Sequence, residues 1–453
     1  MNPKIKKILD NEKKRQSETL DLIPSENFTS PAVREAVGSI FMHKYSEGYP
    51  GARYYEGNEF IDQLENLCIE MALKVFKAPK GWSANVQPYA GSNANLAVYN
   101  ALLEPGDKIL SMYLPDGGHL SHGWSYIPTK DRTEQDKEDM ATNMTYRGGN
   151  VKISIVSKIF NVVQYKTDSK TEVFDYDFIE KLAIEEKPKM IITGGTAYPR
   201  GIDYKKIRKI ADKVGAIYLS DIAHEAGLIA SGVVESPVGI ADVVTMTTHK
   251  TLRGPKGAMI LMKEEFVEKI NKSVMPGMQG GPHNGTIAGI TQALFEADTR
   301  EFKKYCSQIL KNAKVLATEL SNYGLRIVSG GTDKHLVLID LKSSRDIGGK
   351  YVSRALAYAN IISNMNTVPY ESGSPLNPSG LRIGSPTLTT RGMKEKEMKQ
   401  VAKWINEVTD IAVDLKAKSI DFSQFDVLAS KDSRIKDVKK NVISFAKKFP
   451  LSF

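Results

Sequence analysis

The sequence has 453 residues, of which 41% are hydrophobic and 25% are charged, the balance of an ordinary globular protein. A chain of this length exceeds one simple core and predicts about two domains. No stretch approaches the roughly 20 apolar residues of a membrane-spanning helix, and the polar N-terminus lacks the apolar segment of a signal peptide. With only two cysteines, these features predict a reducing compartment, the cytoplasm.

The cysteines, Cys68 and Cys306, lie far apart in segments with helical patterns. They predict neither a disulfide framework nor a cysteine-based metal site, so we expect both to be small core residues and no metal to bind. The net charge is +9, but the lysines are spread over helical segments rather than gathered among aromatic residues. This distribution favours solvated lysines around anion-binding sites over a nucleic-acid surface.

The first predicted elements are a charged helix and the loop LIPSENFTS, together an N-terminal arm over residues 1–30 of a kind that packs on a partner subunit. From 31 to 292, short apolar runs alternate with amphipathic stretches, which is typical of a mostly parallel sheet covered by helices. Four runs are predicted strands: KMIITGG, AIYLSDIA, DVVTMTTH and GAMILM. Between the first two, YKKIRKIADKVG has the apolar spacing of a helix.

A surface insert is predicted from 124 to about 152, because KDRTEQDKED and its neighbours contain almost no core-forming residues. From 293 to 453 the pattern becomes one long helical stretch closed by Gly324, the strand-like RIVSG and HLVLIDL, and a helix-rich tail. This part is predicted to be a smaller α+β domain. The fold class is therefore α/β, with a large sheet domain followed by a small C-terminal domain.

Two chemically distinctive residues follow neighbouring predicted strands. Asp221 closes AIYLS, and Lys250 comes directly after DVVTMTTH. Ligands of open α/β sheets bind beyond the carboxyl ends of the strands, so the two residues could face one ligand. Pyridoxal phosphate needs such a pair: a lysine for the Schiff base and an aspartate that keeps the pyridine nitrogen protonated. Taken singly, each residue is more often an ordinary polar residue at a strand end.

Two glycine-containing segments are candidate phosphate sites. AGSNANLAVYNALL places Gly91 and Ser92 at the predicted start of a helix, where free N–H groups and the helix dipole favour an anion. An ordinary serine N-cap has the same pattern. The second segment, PGMQGGP at 276–282, is either a functional loop or a domain linker.

Sequence blocks in a fixed order resemble the serine hydroxymethyltransferase family. They extend from Ser25 to about Gly392 and cover most of the chain. The blocks are SENF, KYSEGYPGARYYEG, ANVQP, GSNAN, DGGHLSHG, THKTLRGPKG, MQGGP, GGTDKHL and SGLRIGSPTLTTRG. The resemblance implies the type I fold of pyridoxal-phosphate-dependent transferases, which is aspartate-aminotransferase-like. It also implies a homodimer, or a tetramer built from two dimers, with active sites shared between subunits.

The resemblance implies a cofactor site in which pyridoxal 5'-phosphate forms a Schiff base with Lys250. Asp221 would face the pyridine nitrogen, and His119 would stack on the ring. The phosphate would be bound by one glycine-containing segment from each of two subunits. The implied cofactor-binding residues are Gly91, Ser92, His119, Thr196, Asp221, His224, His249, Lys250, Gly280 and Gly281.

The resemblance also implies substrate and folate contacts. Arg382 would bind the substrate carboxylate by a two-pronged charge-assisted bond, while Ser25 and Tyr55 help to hold the amino acid. Glu47 would be the acid–base group that handles the serine hydroxyl and the folate. The implied catalytic residues are Lys250, Glu47, His119, Asp221 and Tyr55, and the implied folate-binding residues are Tyr45, Glu47, Leu114, Gly118, Leu120 and Asn366.

The implied activity is reversible transfer of the serine hydroxymethyl carbon to tetrahydrofolate, giving glycine and 5,10-methylenetetrahydrofolate. Three residues depart from the family pattern: Tyr89 stands where a histidine is frequent, Ala90 where a serine is, and Met365 where a lysine is. One alternative is a folate-independent aldolase acting on threonine or another β-hydroxy amino acid; Met365 leaves this alternative open, whereas Glu47, Tyr55, Leu120 and Asn366 argue against it. A second is a non-catalytic or dual-role protein that uses its positive charge to bind RNA; the intact Lys250, Asp221, His119 and Arg382 argue against a loss of catalysis.

Overall fold

The computed structural model describes residues 1–371, 373–374 and 376–452. The helices are α1 Pro3–Glu18, α2 Pro31–Val37, α3 Glu59–Val75, α4 Gly91–Leu102, α5 Glu134–Thr142, α6 Ile155–Ile159, α7 Tyr176–Glu186, α8 Tyr204–Val214, α9 Ala226–Ala230, α10 Val267–Lys272, α11 Asn284–Ala297, α12 Arg300–Asn322, α13 Leu341–Arg345, α14 Gly349–Tyr358, α15 Pro386–Thr390, α16 Glu395–Ala417, α17 Phe422–Lys431 and α18 Ser433–Ala446. The strands are β1 Leu20–Asp21, β2 Gly48–Tyr49, β3 Ala52–Arg53, β4 Trp82–Asn85, β5 Lys108–Met112, β6 Ser125–Tyr126, β7 Thr145–Tyr146, β8 Val151–Lys152, β9 Asn161–Tyr165, β10 Met190–Thr193, β11 Ile217–Asp221, β12 Val243–Thr247, β13 Ala258–Lys263, β14 Arg326–Ile327, β15 Leu336–Asp340, β16 Ile361–Ile362, β17 Asn364–Asn366 and β18 Gly380–Gly384.

The chain forms two compact units. The sheet unit is Thr29–Cys306, and the C-terminal unit joins Met1–Phe28 to the chain from Ser307 onward. The N-terminal residues belong to the C-terminal unit because β1 pairs in parallel with β16. The observed unit boundaries follow residues 28 and 306, and the three-part division at residues 30 and 292 stays a prediction. In the described part of the chain, no helix is both long enough and apolar enough to cross a membrane.

An eight-stranded sheet organises the sheet unit, in the order β4-β13-β12-β11-β10-β5-β9-β7. Strands β12, β11, β10, β5 and β9 are parallel, whereas β13, β4 and β7 pair antiparallel at the two edges. The four predicted strands are confirmed as β10 to β13. The predicted α/β class with a mostly parallel sheet is therefore confirmed.

The apolar runs become strands because both faces of the sheet are covered. All residues of β10 and β12 are buried, as expected for central strands of a sheet with helices on either side. The predicted helix is confirmed as α8, which buries Ile207, Ile210 and Ala211 and is capped after Val214 by Gly215 in the left-handed conformation. Cys68 and Cys306 are unpaired and fully buried, which confirms them as small core residues.

The insert at 124–152 is partly folded onto the sheet. Strand β7 extends the central sheet beyond β9, and β6 pairs with β8. Helix α5 begins with a capping box formed by Thr133 and Asp136. Tyr146 is buried, and its hydroxyl donates to the carbonyl of Ser125 at 3.0 Å. The insert therefore joins the large sheet through β7, while its two ends pair with each other as β6 and β8.

The C-terminal unit contains a four-stranded antiparallel sheet in the order β14-β15-β18-β17. RIVSG and HLVLIDL are confirmed as β14 and β15, and their apolar residues pack with helices α14, α16, α17 and α18. The predicted single helical stretch ending at Gly324 is wrong, because α11 ends at Ala297 and α12 begins at Arg300. The break has a local cause, since the Thr299 hydroxyl accepts the Phe302 N–H at 3.2 Å and caps the second helix.

Candidate active site

The turns that follow β11 and β12 lie side by side. Asp221 is the last residue of β11 and pairs with Thr245 of β12. In the next turn, the Thr251 hydroxyl donates to the carbonyl of His224 at 2.9 Å. The segments that carry Asp221 and Lys250 are therefore joined beyond the carboxyl ends of parallel strands, where the sequence predicted a ligand site.

The turn that contains Lys250 is fixed by a short hydrogen bond. The Thr248 hydroxyl donates to the carbonyl of Pro255 at 2.6 Å, and the Lys250 side chain is buried. Burial, together with the charges of Lys250 and Lys256, lowers the pKa of His249 to about 4. His249 is therefore neutral at pH 7 beside the candidate Schiff-base lysine.

Asp221 is the centre of a buried polar network. Its Oδ2 accepts the Asn95 amide at 2.8 Å and His122 Nε2 at 3.0 Å, and Asn95 Oδ1 accepts the Thr245 hydroxyl at 2.6 Å. Burial alone would raise the pKa of Asp221, but the hydrogen bond and charge of His122, the charge of His119 and the Asn95 amide outweigh it. The pKa is well below its usual value, so this carboxylate is ionised and rigidly oriented.

His119 lies next to this network on the loop after β5. Its Nδ1 accepts the N–H of Ser121 at 3.1 Å, and its ring centroid is 5.6 Å from that of His122. Ligand atoms of His119, His122 and Asp221 all lie within 4.8 Å of one another, a spacing that a metal ion could use. The expectation that no metal binds stays a prediction.

His122 and Asn95 are site residues that the sequence analysis missed as partners of Asp221. Both residues lie in sequence blocks that resemble the family: His122 is the second histidine of DGGHLSHG, and Asn95 is the last residue of GSNAN. Asn95 lies one helical turn beyond Gly91 and so faces the same side of α4. Neither pattern indicates on its own that the side chain meets Asp221.

The N-terminus of α4 provides a candidate anion site. Its N-cap residue is Ala90, whose side chain cannot accept a hydrogen bond from the first turn. A Cβ on Gly91 would lie 2.7 Å from Cγ2 of Thr247, so only glycine lets this backbone approach β12 closely. Ser92 is exposed in the first turn. The N–H groups there are suited to an anion such as a phosphate.

The loop after β5 brings several predicted residues together. Thr196 donates its N–H to the carbonyl of Gly117 at 2.6 Å and its hydroxyl to that of Gly118 at 2.9 Å. The Gly117 N–H in turn donates to the carbonyl of Leu114 at 3.0 Å. Leu120 is 49% exposed, so it can contact a ligand rather than the core. Thr196 and the implied folate residues of this loop therefore lie next to one another.

A second group of predicted residues lies around Glu47. The rings of Tyr45 and Tyr55 are 5.2 Å apart, and the charge of Glu47 raises the pKa of Tyr55. A Cβ on Gly280 would lie 3.1 Å from Oε1 of Glu47, and one on Gly281 would lie 3.4 Å from the ring of Tyr45. Both tyrosines are exposed, at 57% and 40%. The structure therefore presents these five residues together on the surface of one chain.

Arg382 and Asn366 lie on neighbouring strands of the C-terminal unit. Arg382 on β18 is paired with Asn364 on β17, and its Nε donates to the Asn364 side chain at 3.2 Å. Asn366 is two residues further along β17 and so points to the same face of the sheet. Burial lowers the pKa of Arg382 to about 10. The guanidinium is thus a desolvated cation suited to a carboxylate.

Ser25 lies close to the end of the strand that carries Arg382. The N–H of Gly384 donates to the carbonyl of Leu22 at 2.7 Å. A Cβ on Gly384 would lie 2.8 Å from Cα of Pro24, so the glycine is needed for this contact. The residues directly before the SENF loop therefore pack against the end of β18 within the C-terminal unit.

The sheet unit thus has a buried lysine, an ionised aspartate, a histidine ring and an uncapped helix N-terminus at the ends of parallel strands. These groups fit a cofactor that has a phosphate, a basic ring nitrogen and a carbonyl group. The fold and the site together define a class, α/β enzymes that bind such a cofactor beyond the carboxyl ends of the strands.

The family follows from comparison with known proteins. The model of the family described as "Serine hydroxymethyltransferase" matches residues 1–405, and the chain belongs to this family. It is 45% identical to the mitochondrial serine hydroxymethyltransferase of Schizosaccharomyces pombe, over 99% of this chain and 92% of that protein. It is 48% identical to serine hydroxymethyltransferase of Acidothermus cellulolyticus, over 90% and 88%, and 49% identical to that of Coprothermobacter proteolyticus, over 90% and 91%.

Proposed function

We propose that the protein transfers the hydroxymethyl carbon of serine reversibly to tetrahydrofolate, giving glycine and 5,10-methylenetetrahydrofolate. In this proposal the chain has the type I fold of pyridoxal-phosphate-dependent transferases, and Lys250 holds the cofactor. The observation that carries the proposal is the ionised Asp221, oriented by His122 and Asn95 on the strand next to the Lys250 turn. Membership of the serine hydroxymethyltransferase family supports it independently.

Pyridoxal phosphate, when bound, would supply an electron sink for cleavage of the bond between the α and β carbons of serine. The role of Asp221 is to hold a proton on the ring nitrogen, which requires a carboxylate that stays ionised. His122 and Asn95 keep that carboxylate in one orientation. His119 would stack on the ring.

The phosphate contacts come from two segments in the proposal. Gly91 and Ser92 would donate N–H groups at the positive end of α4, where an anion is stabilised by the helix dipole. Gly280 and Gly281 would reach the same phosphate from the partner subunit of a homodimer. Thr196, His224 and His249 would line the rest of the cofactor pocket.

The proposed substrate site is the one that the family resemblance implies. Arg382 would bind the serine carboxylate through two parallel hydrogen bonds, and Ser25 and Tyr55 would hold the amino acid beside it. Fixing the carboxylate fixes the direction of the bond that breaks, which is a contribution from positioning. Glu47 would move the proton of the serine hydroxyl. The folate would lie among Tyr45, Leu114, Gly118, Leu120 and Asn366.

The decisive test is absorbance of the cofactor-loaded protein with glycine, before and after addition of tetrahydrofolate. We expect a strong new long-wavelength band that appears only when the folate is present, because both binding sites must be filled. Lys250→Ala should lose both the yellow colour and turnover. A yellow protein whose glycine spectrum ignores folate, yet which cleaves threonine, would instead indicate the folate-independent aldolase, which the compared relatives do not support.

Two further parts of the proposal concern the assembly and its location. A homodimer, alone or paired into a tetramer, would complete each site with residues of the second chain. The cytoplasm stays a prediction, since the Schizosaccharomyces pombe relative is named as mitochondrial whereas the Acidothermus cellulolyticus and Coprothermobacter proteolyticus relatives carry no location in their names.

A further inference from the structure

The segment Gln87–Tyr89 contacts two loops that lie beside each other at Glu47. One loop contains Glu47 and Gly48, and the other contains Gln279, Gly280 and Gly281. The Gln87 amide donates to the carbonyl of Gly48 at 2.9 Å and to Glu65 Oε1 at 2.7 Å. Its own carbonyl accepts the Gln279 amide at 2.7 Å. The segment is itself held to the central sheet, because the carbonyl of Pro88 accepts the N–H of Ala258. The ANVQP block therefore has a physical role as a support, although no catalytic role was assigned to it.

Tyr89 makes the contact closest to the two glycines. Its hydroxyl donates to the carbonyl of Gly281 at 2.7 Å, and its ring stacks on His283 with centroids 4.3 Å apart and planes within 9°. Burial and the nearby Tyr45 and Glu47 raise the pKa of Tyr89. The phenol therefore stays protonated and remains a donor at every pH at which the enzyme is expected to work.

The bond to Gly281 restricts a segment that is otherwise easy to rotate. Glycine has no Cβ, so the backbone at Gly280 and Gly281 can adopt many conformations unless side chains hold it. Tyr89 fixes the carbonyl of Gly281, and the face-to-face stacking fixes the residue two positions beyond it. Tyr89 is also two residues before Gly91, so its backbone continues directly into the N-terminus of α4.

We infer that Tyr89, one of the departures from the family pattern, is a positioning residue. It holds Gly280 and Gly281 of its own chain in the orientation in which their N–H groups bind the cofactor phosphate in the site of the partner subunit. This inference rests on the proposed function. Tyr89 acts through its contact with Gly281, so its loss should weaken cofactor binding more than it slows the chemistry of the loaded enzyme. Phenylalanine has the same ring but no hydroxyl, so this substitution removes the hydrogen bond to Gly281 and keeps the ring.

The test is Tyr89→Phe, with Tyr146→Phe as the matched control. Tyr146 also donates its hydroxyl to a backbone carbonyl, but its partner is Ser125 of the insert and not the loop of Gly280 and Gly281. Each protein is freed of cofactor and titrated with pyridoxal phosphate by absorbance. We expect the dissociation constant to rise roughly three- to tenfold in Tyr89→Phe, the range for one lost hydrogen bond, and to be unchanged in Tyr146→Phe. With saturating cofactor, kcat of Tyr89→Phe should stay within about twofold of the wild type.

Three outcomes would count against these ideas in different ways. Wild-type affinity in Tyr89→Phe would overturn the positioning role while leaving the proposed function intact. An equal loss of affinity for pyridoxal phosphate in Tyr146→Phe would also overturn the positioning role, because the effect would then come from general destabilisation of the sheet unit. Failure of the wild-type protein itself to bind pyridoxal phosphate would instead refute the proposed function.

Discussion

At the residue scale, the clearest consequence concerns Arg382. Arg382→Ala should keep the yellow colour, because the residue does not hold the cofactor, but should lose affinity for serine at least about thirtyfold, the lower end for truncating one partner of a desolvated charge pair. The measurement is spectral titration with serine. Arg326→Ala is the control, since Arg326 lies in the same small sheet but pairs with Asp340 on a partly exposed surface. Normal serine affinity in Arg382→Ala would contradict the prediction that Arg382 binds the serine carboxylate.

Asp21 is a second residue whose environment has a measurable effect. It is 6% exposed in β1, and burial together with Glu26 raises its pKa to about 8 although Arg15 opposes the shift. The folded state therefore keeps a proton that the unfolded state releases. Its stabilising contribution is complete below about pH 4 and is lost as the pH rises through about 8.

Asp21→Asn should remove this pH dependence, because the amide stays neutral and can still accept the N–H of Ile23. Relative to the wild type, its Tm should rise between pH 5 and pH 9 by at least roughly 2–4 °C, the shift that each 1 kcal/mol gives in a unit of this size. Thermal unfolding at several pH values measures it, with the exposed Asp437→Asn as control. Parallel Tm profiles for wild type and Asp21→Asn would contradict the assignment.

At the element scale, one buried arginine joins the two ends of the C-terminal unit. Arg391 is 6% exposed, and burial lowers its pKa to about 10. Its guanidinium donates to backbone carbonyls at the C-terminal ends of α1 and α18, where the helix dipole favours a cation. The acceptors are the carbonyls of Gln16, Ser17, Thr19, Ala446 and Phe449.

Arg391→Met should cost about 3 kcal/mol or more in the free energy of unfolding, because it leaves several buried carbonyls without their donor. Thermal and denaturant unfolding followed by circular dichroism would measure the loss. Arg434→Met provides the comparison, because Arg434 makes its ion pairs at the surface with a half-exposed side chain and should change stability by less than about 0.5 kcal/mol. An equal loss of unfolding free energy in the two variants would show that Arg391 does not join α1 to α18.

At the scale of the whole molecule, the proposal of shared sites makes a sharp prediction for mixed dimers. Lys250→Ala and Glu47→Gln should each be inactive alone. Glu47 lies beside Gly280 of its own chain, so in the proposal it enters the partner's site together with that glycine. In a heterodimer of the two variants, one site would therefore combine an intact Lys250 with an intact Glu47 from the other chain. A heterodimer isolated with two different affinity tags should therefore have about half the wild-type activity, because one of two symmetric sites is complete. No activity in that heterodimer would mean that each site takes both residues from one chain.

Much of the fold was predictable because the signals are local. The apolar runs that became β10 to β13 have the length and turn residues of buried strands, and the spacing in α8 is that of an amphipathic helix. Asp221 and Lys250 could be placed together because the ends of parallel strands meet at one edge of a sheet. The break between α11 and α12 was missed, since a threonine cap competes with continued helix only through local hydrogen bonds.

The sequence by itself determined the α/β class, the positions of the main strands and the residue types available at the strand ends. It did not determine which polar side chains would meet. Asp221 contacts Asn95 and His122, which belong to other elements far away along the chain. The Tyr89 hydroxyl likewise donates to the carbonyl of Gly281, which is far away along the chain but in the same sheet unit. Only tertiary packing decided these pairs, because hydrogen bonds depend on distances of about 3 Å that spacing along a chain does not specify.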